Sequence, residues 1–316
     1  MKNPQTAGVY AALASAAFLG MTPIFGKQAI LAGLAPLAVV ALRTLLATLF
    51  LLIVMAIFYR PYLYIYPAGL LGCLLAGLVN GLGSLFYYSA LSRIDAGVGQ
   101  LIYSMYPLFL VFWMALDRQR PNRLTIFRLV IALPAVYLLS NAGHGKNDLI
   151  GIAQMLIASA LFALHLPINQ RVLYDMPAPT VTVYTLLAMS AVVVPAWLLT
   201  NNSPLTLELA AWSPLLGLTT VTFFSRLTLF QGVKHLGGLQ TALLGLSELL
   251  VTVLFAHLWL GERLNTLQWL GAGILVFSLV LVGFERASPR KRAVSGLLEW
   301  LRPPGSTRDA PWQPHD

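Results

Sequence analysis

The sequence predicts an all-α integral membrane protein of ten transmembrane helices, built as two inverted repeats of five helices each. Three observations predict this fold class: an apolar composition, a series of long apolar runs, and a similarity between the two halves of the chain. Hydrophobic residues make up 58% of the 316 residues and charged residues only 10%, whereas soluble domains carry about 25% charged residues. With a mean hydropathy of +0.76, most of the chain is expected to lie inside a bilayer.

Apolar runs bounded by charged residues, prolines and asparagines give the positions of the helices, because about 20 such residues cross a bilayer. The predicted spans are Val9–Phe25, Leu37–Tyr59, Pro67–Leu91, Val98–Leu116, Leu124–Leu139, Leu149–Arg171, Thr180–Leu199, Trp212–Val233, Leu239–Leu260 and Leu267–Gly283. The loops between them are short, so no catalytic domain outside the membrane is expected. No small-residue cleavage site follows the first run, which we therefore expect to remain as a helix.

Positively charged residues are distributed unevenly between alternate loops, which predicts the orientation. With a cytoplasmic N-terminus, that side receives Lys2, Arg60, Arg118, Arg120, Arg123, Arg171, Lys234, Arg286, Arg290, Lys291 and Arg292. The other side receives Lys27, Arg93, Lys146 and Arg263. Both termini are thus predicted to be cytoplasmic, in a plasma (inner) membrane of bacterial type, with 285–316 as a basic cytoplasmic tail. Because the charges lie at the ends of apolar runs, the net charge of +9 does not indicate a nucleic-acid partner.

The two halves, 8–140 and 148–284, resemble each other in order along the chain. An offset of 142 residues places Leu101 on Leu243 and Tyr106 on Glu248, and an offset of 144 places Pro23 on Pro167. Five helices per half is an odd number, so the second copy enters the membrane from the opposite side. The sequence therefore predicts an inverted-topology duplication.

Three segments resemble the EamA-like repeat of the drug/metabolite transporter superfamily. They are Pro36–Ala47, Phe86–Phe109 and the corner Gly261–Leu264, which is followed by Gln268, Leu270 and Gly271. The resemblance covers nearly all of residues 8–284. It implies a carrier of small metabolites with ten helices, cytoplasmic termini and a central cavity between the halves.

Glu248 lies near the middle of its predicted helix, where an ionised carboxylate costs several kcal/mol unless it is paired, hydrated or protonated. It is a candidate for proton coupling or amine binding in the cavity. The alternative is a static ion pair with Arg226, at similar depth on the preceding helix. Arg43 is a candidate contact for a carboxylate or phosphate of the substrate. Alternatively, Arg43 has a structural role near the end of its helix.

A set of polar and aromatic residues on adjacent helices predicts a cavity wall suited to an amphipathic metabolite. Its members are Asn80, Tyr87, Tyr88, Gln100, Tyr103 and Tyr106, with Gln231, Gln240 and Ser247 in the second half. The alternative is ordinary packing between helices, with some tyrosines at the membrane interfaces. His165 has no second ligand on its face, so no metal site is predicted.

Gly20–Gln28 departs from a phosphate-binding loop in spacing and lacks a hydroxyl residue after Lys27, so ATP is not the expected energy source. The sequence predicts a secondary active transporter, not an enzyme, that exports amino acids, amines or related amphipathic compounds by alternating access. Proton coupling is one option, no cofactor is expected, and the protein is a monomer or a homodimer. The alternative is a membrane protein without transport activity, such as an enzyme or assembly factor for lipid-linked substrates.

Overall fold

The structure is a computed structural model that describes residues 4–94, 96–117, 148–200, 209–260 and 266–280, together with 123, 126–127, 130–131, 134, 138, 297–298 and 300–301. All regular secondary structure of the described residues is helical. The helices are α1 Pro4–Leu31, α2 Pro36–Phe58, α3 Pro67–Arg93, α4 Ala96–Tyr103, α5 Tyr106–Leu116, α6 Leu149–Leu173, α7 Ala178–Thr200, α8 Leu209–Leu236, α9 Gly238–Gly245, α10 Glu248–Leu260 and α11 Thr266–Val280. A short 3₁₀ helix, Arg60–Leu63, follows α2.

Local chemistry sets where several helices begin. Helices α2 and α3 start at Pro36 and Pro67. Backbone N–H groups in the first turn of a helix have no acceptor within the helix, so a proline, which has no N–H, loses no hydrogen bond there. Asp148 caps α6, because its Oδ1 accepts hydrogen bonds from the N–H of Ile150 and Gly151. The Arg93 guanidinium, 3.0 Å from Asp148, is the main cause of the pKa of that carboxyl lying below its ordinary value.

In the part of the chain that the structure describes, six helical stretches are long and apolar enough to cross a bilayer. They are Gln5–Leu31, Pro36–Phe58, Pro67–Arg93, Leu149–Leu173, Ala178–Thr200 and Gly238–Phe255. The predicted helix Trp212–Val233 is present within α8, and α11 forms most of the predicted helix Leu267–Gly283. The predicted helix Leu124–Leu139 lies largely outside the described residues.

The structure corrects the sequence prediction at two helices that were expected to be continuous. The span Val98–Leu116 is interrupted at residues 104–105, between α4 and α5, and the span Leu239–Leu260 at residues 246–247, between α9 and α10. In the first break Pro107 has no N–H to donate, whereas in the second Leu249 donates to the carbonyl of Leu246 in a tighter 3₁₀ turn. Both breaks occupy the same place in their repeats, since the offset of 142 residues relates them.

Serine hydroxyls bond the carbonyl groups beside each break. Ser104 donates to the carbonyl of Gln100 at 2.7 Å, and Ser247 donates to that of Leu244 at 2.8 Å. Because no water is available in the bilayer core, such groups need partners within the protein. The chain can therefore interrupt both helices at membrane depth.

The two halves pack against each other reciprocally. The first helix of the first half, α1, packs most extensively on α8, and the first helix of the second half, α6, packs on α3. Likewise α1 contacts α9 and α10, while α6 contacts α4 and α5. The second helices of the two halves, α2 and α7, pack on each other. Exchanging the halves leaves this pattern unchanged, as a two-fold relation between two repeats requires.

Small residues allow α3 to lie close to two neighbours. A Cβ added to Gly77 would overlap the side chain of Ala188 and the carbonyl of Thr185 on α7. One added to Gly83 would meet Leu161 on α6 at 3.1 Å. Close helix contact through glycine is a common means of association in membranes, where the hydrophobic effect does not drive helices together.

One end of the helix bundle carries Arg93, Asp148 and Lys27, which donates to the carbonyls of Leu91 and Ile94 at the end of α3. The opposite end carries a buried ion pair of 2.7 Å between Arg171 on α6 and Asp117. The sequence predicts Lys27 and Arg171 on opposite membrane sides, and the structure places them at opposite ends.

Described tail residues return to the end of the bundle that carries Arg171. The N–H of Leu298 donates to Asp117 at 3.1 Å, and Leu301 is only 2% exposed, in contact with Ala76 and Ile168. The basic tail therefore also packs against the helices, through Leu298 and Leu301.

Helix α1 begins at the same end as the docked tail. It starts beside the last turn of α8, where a Cβ on Gly8 would meet His235. In that turn Lys234 donates to the carbonyl of Met176, just beyond the end of α6. The start of α1 and the docked part of the tail thus share one end of the bundle.

Candidate substrate cavity

A cavity lies between α1, α2, α3, α4, α6, α8 and α10, and it occupies about 500 Å³ when its solvent-open part is counted. Most of the residues that the sequence nominates line it. Those residues are Arg43, Asn80, Tyr87, Tyr88, Gln100, Tyr103, Arg226 and Glu248. Side chains that lie far apart in sequence thus converge at the centre of the bundle.

Glu248 is the first residue of α10 and lies directly after the break in the second half. Its Oε1 accepts a hydrogen bond of 2.5 Å from Nε2 of Gln100 on α4, and Oε1 of Gln100 accepts one of 3.2 Å from the hydroxyl of Tyr87 on α3. The carboxylate also lies at a helix N-terminus, where the helix dipole favours negative charge. This hydrogen-bonded chain connects Glu248 to the first half of the protein.

Gly20 on α1 allows the start of α10 to enter the bundle. A Cβ at this position would lie 2.6 Å from the carbonyl oxygen of Glu248 and 2.7 Å from Cβ of Val251. The hydroxyl of Thr252 donates to the carbonyl of Gly20 at 2.8 Å, which fastens the two helices together. The position of Glu248 therefore depends on a glycine in the first helix.

Arg43 extends from α2 into the cavity and is 4% exposed. Its Nη1 donates to Oγ1 of Thr222 on α8 at 3.0 Å, and its guanidinium carbon lies 4.8 Å from the ring centre of Tyr88. The Nε of Arg43 has no hydrogen-bond partner. The guanidinium is thus held by one hydrogen bond and one aromatic face.

Arg226 on α8 is 5% exposed, and its guanidinium carbon lies 5.6 Å from the ring centre of Phe162. Its Nη1 has no hydrogen-bond partner. The static ion pair with Glu248, left open by the sequence, is not formed, since none of the described acidic side chains lies within 4.0 Å of Arg226. Arg226 and Glu248 thus line the same cavity without direct contact.

Aromatic rings form the apolar part of the wall. The ring centre of Tyr103 lies 4.9 Å from that of Tyr87 and 5.2 Å from that of Phe162. Tyr87 and Tyr88 are in edge contact at 5.3 Å. The cavity therefore combines charged groups with a continuous aromatic surface.

Some residues considered in the sequence do not line the cavity, among them Tyr106, Gln231 and Gln240. Ser247 is in the break between α9 and α10, where its hydroxyl bonds the carbonyl of Leu244, and it does not line the cavity. The Nδ1 of His165 contacts the carbonyl of Phe162, and its ring packs between Phe162 and Phe230. Across the described residues, no three histidine, cysteine or acidic side chains lie together as a metal site would need.

The remaining wall residues are small or apolar, and sequence analysis did not nominate them. They are Leu19, Thr22, Gly83, Ser84, Ala158, Phe162 and Ser225. Such residues are abundant in every membrane helix, so their type carries no information. Spacing offers one indication of which residues belong to the wall. Thr222, Ser225 and Arg226 are three and four residues apart, so they lie on one face of α8, and Arg226 marks that face as polar.

The EamA-like transporter family matches the chain twice, at residues 6–141 and 149–284. The uncharacterized transporter YcbK of Bacillus subtilis (strain 168) is 24% identical over 214 residues, covering 65% of this chain and 68% of that protein. The uncharacterized transporter sll1319 of Synechocystis sp. (strain ATCC 27184 / PCC 6803 / Kazusa) is 23% identical over 230 residues, covering 69% and 67%.

One solved crystal structure of a protein has the same fold, with a TM-score of 0.70 at 14% identity, covering 89% of this chain and 98% of that chain. The two family matches span most of the sequence, and their ranges coincide with the two halves that pack reciprocally. This chain belongs to the EamA-like transporter family and is an integral membrane transporter.

Proposed function

We propose that this protein is a secondary active transporter that exports a small amphipathic metabolite through the cavity by alternating access. The observation that carries the proposal is the convergence of Glu248, Arg43 and Arg226 in one cavity between the two halves. Charged groups inside a membrane protein are costly and are usually retained for transport or binding. The aromatic wall supplies a surface for the apolar part of the substrate.

The broken helices support this mechanism. Interrupted helices near the substrate site are a recurrent feature of transporters built from inverted repeats, in which one repeat moves relative to the other. Here α10 begins at Glu248, and α4 contributes Gln100 and Tyr103 just before its own break. A change in the angle at either break would alter the cavity wall directly.

Glu248 is the proposed coupling group. In the structure its Oε1 accepts from the amide of Gln100, whose own oxygen accepts from Tyr87. Protonation removes the charge that strengthens the hydrogen bond from Gln100 and gives the carboxyl a donor of its own, so proton binding would weaken this chain of hydrogen bonds. Protonation at the second half would thereby affect contacts with α3 and α4.

Buried guanidinium groups favour amino acids over simple amines among the compounds that the sequence suggests. Arg43 and Arg226 repel a cation in the cavity, whereas a zwitterion offers them one carboxylate that both can bind.

We also propose that both termini are cytoplasmic. The shared end of α1 and the tail, together with the surplus of Lys and Arg in the loops assigned to that side, supports this orientation.

A non-transporting role on lipid-linked substrates is the second candidate. An apolar, sealed cavity would favour it, but the cavity here is lined by three charged side chains and open in part. The family match and the names of both relatives likewise favour transport over catalysis.

Gradient-driven transport in proteoliposomes tests the proposal. We expect labelled phenylalanine to accumulate when a pH gradient is imposed, and we expect Glu248→Gln to abolish the dependence on that gradient. Asp148→Asn is the matched control, because it makes the same chemical change outside the cavity and asparagine still caps α6. Unaltered gradient-driven accumulation by Glu248→Gln would rule out the coupling role.

A further inference from the structure

We infer that Arg43 and Arg226 together form a binding site for the carboxylate of a small amphipathic substrate. This inference deepens the proposed function and rests on it, because it names the substrate group that the cavity recognises. It assigns Arg226 to the carboxylate of the substrate, where the sequence left an ion pair with Glu248 open as an alternative.

Unpartnered donors on both arginines point to a missing acceptor. Nε of Arg43 and Nη1 of Arg226 are buried and lack hydrogen-bond partners, although the two residues are only 4% and 5% exposed. Buried polar atoms in proteins nearly always have a partner, so these two arginine donors, with the likewise unpartnered Tyr88 hydroxyl in the same cavity, require an explanation. An acceptor that binds there during transport supplies one.

The two guanidinium groups approach the same face of α8. Nη1 of Arg43 bonds Thr222, which lies one helical turn before Arg226 and therefore on the same side of that helix. Each guanidinium also packs on a ring, Arg43 on Tyr88 and Arg226 on Phe162. Stacking uses the faces of the guanidinium planes and leaves N–H groups at their edges for a ligand.

With Glu248 ionised, the charge balance of the cavity favours a substrate that brings one carboxylate to the arginines. Arginine is always protonated in proteins, so the two arginines bring two positive charges. Glu248 is the one acidic residue among the described residues that line the cavity, and in its ionised form it leaves one positive charge uncompensated. A single carboxylate neutralises that charge and matches the planar fork of a guanidinium.

The surroundings of the arginines favour a substrate with an apolar body. Tyr87, Tyr103 and Phe162 form connected ring contacts beside them. A phosphate monoester is the other anion that guanidinium groups bind well, but it carries nearly two negative charges at neutral pH. The site therefore fits a small carboxylic acid with an aromatic or aliphatic side group.

Equilibrium binding to the full-length protein in detergent micelles tests this inference with 3-phenylpropionate, its amide and phenyl phosphate as probes. We expect 3-phenylpropionate to bind and to raise the thermal stability, while 3-phenylpropionamide, which has nearly the same shape but no charge, does not bind. Equal binding of acid and amide, tighter binding of phenyl phosphate, or no binding of the acid at millimolar concentration would overturn the assignment.

Arginine variants locate the site. Arg43→Gln and Arg226→Gln should each weaken 3-phenylpropionate binding by roughly ten- to a hundredfold, the range expected for loss of hydrogen bonds to a charged group. Arg93→Gln is the matched control, since this partly exposed arginine pairs with Asp148 outside the cavity and its loss should leave binding unchanged. Unchanged binding by both cavity variants would overturn the inference.

Thermal unfolding without ligand separates binding from a structural role. If the two arginines serve to bind substrate, removing one of them lowers the repulsion between buried like charges in the empty cavity. Neither variant should therefore have a lower melting temperature than the wild type. A large fall in melting temperature with retained 3-phenylpropionate binding would show that they serve the fold.

The carboxylate site and the proposed transport function can also be rejected independently of each other. Binding of 3-phenylpropionate without any transport would keep the carboxylate site and remove the proposed function. Transport of a substrate that has no acidic group would keep the function and remove the site.

Discussion

Thr222 positions Arg43 at the cavity by accepting a hydrogen bond of 3.0 Å from its Nη1, while its own hydroxyl hydrogen goes to the carbonyl of Leu218. Among the residues that the structure describes, Thr222 is the side chain that accepts a hydrogen bond from the Arg43 guanidinium. Thr222 touches the arginine and does not line the cavity itself. Its role is therefore to orient another residue.

Thr222→Val tests this role because valine keeps the shape and removes the hydroxyl. We expect the free energy of unfolding to fall by about 1–3 kcal/mol, since a buried charged donor loses its acceptor. Thr219→Val is the control, because Thr219, one turn earlier on α8, bonds only the carbonyl of Leu215 in the structure. Denaturation in micelles measures the difference, and equal effects of the two substitutions would argue against positioning of Arg43.

Sequence analysis found the charged members of the cavity because charge inside an apolar helix is rare. It left the Glu248–Arg226 ion pair open as an alternative, because a helical span gives the depth of a side chain but no distance to its neighbours; both side chains reach the cavity without pairing. Phe162, which stacks on Arg226, was missed because a phenylalanine in a membrane helix has no distinguishing feature. Ser247 was nominated for its polarity, but its hydroxyl serves the backbone at the helix break.

At the scale of elements, the broken helices could not be predicted from hydropathy. Both breaks lie within spans that are apolar enough overall to be predicted as single helices, and each is only two residues long. Pro107 is a local indication in the first half, whereas the second half has Leu249 at the matching position. Once Pro107 had indicated a break in the first half, the offset of 142 residues between the repeats would have predicted a matching break in the second half.

The docked tail provides a test at this scale. Leu301 is 2% exposed and contacts Ala76 and Ile168, while Leu297, four residues earlier, is 72% exposed. We expect Leu301→Asp to lower the free energy of unfolding by about 2–5 kcal/mol, as burying a charge and losing apolar contact predict, with little effect from Leu297→Asp. Equal melting temperatures of the two variants in micelles would contradict docking of the tail.

On the scale of the whole molecule, reciprocal packing joins the two halves around the cavity. Helices α1 and α6 each pack on the third helix of the other half, so neither repeat encloses the cavity alone. The cavity wall takes Asn80 and Gln100 from the first half and Arg226 and Glu248 from the second. Relative movement of the halves would therefore change the Gln100–Glu248 and Arg43–Thr222 hydrogen bonds at once.

The duplication could be predicted from ordered similarities between the halves, and the all-helical membrane fold followed from composition. What the sequence could not supply is which helices of one half pack on which of the other, because all of them are apolar. That pairing decides which side chains face the cavity, and it explains why Gly20 on α1 adjoins Glu248 on α10.

Access to the cavity from both membrane faces is the most direct test of the central claim, that this cavity is the path of the substrate. Ser84 lines the cavity, and serine to cysteine is a small change. In a Cys73→Ala background, a membrane-impermeant thiol reagent should reach Ser84→Cys from either side of sealed vesicles. Bound 3-phenylpropionate should reduce the reaction.

Wild-type protein is the control, because its single cysteine, Cys73, is buried and does not line the cavity. Labelling of Ser84→Cys from each face in turn, with the wild type unlabelled, is the result that alternating access predicts. Labelling from one face alone under every condition would describe a closed pocket and would contradict transport through it.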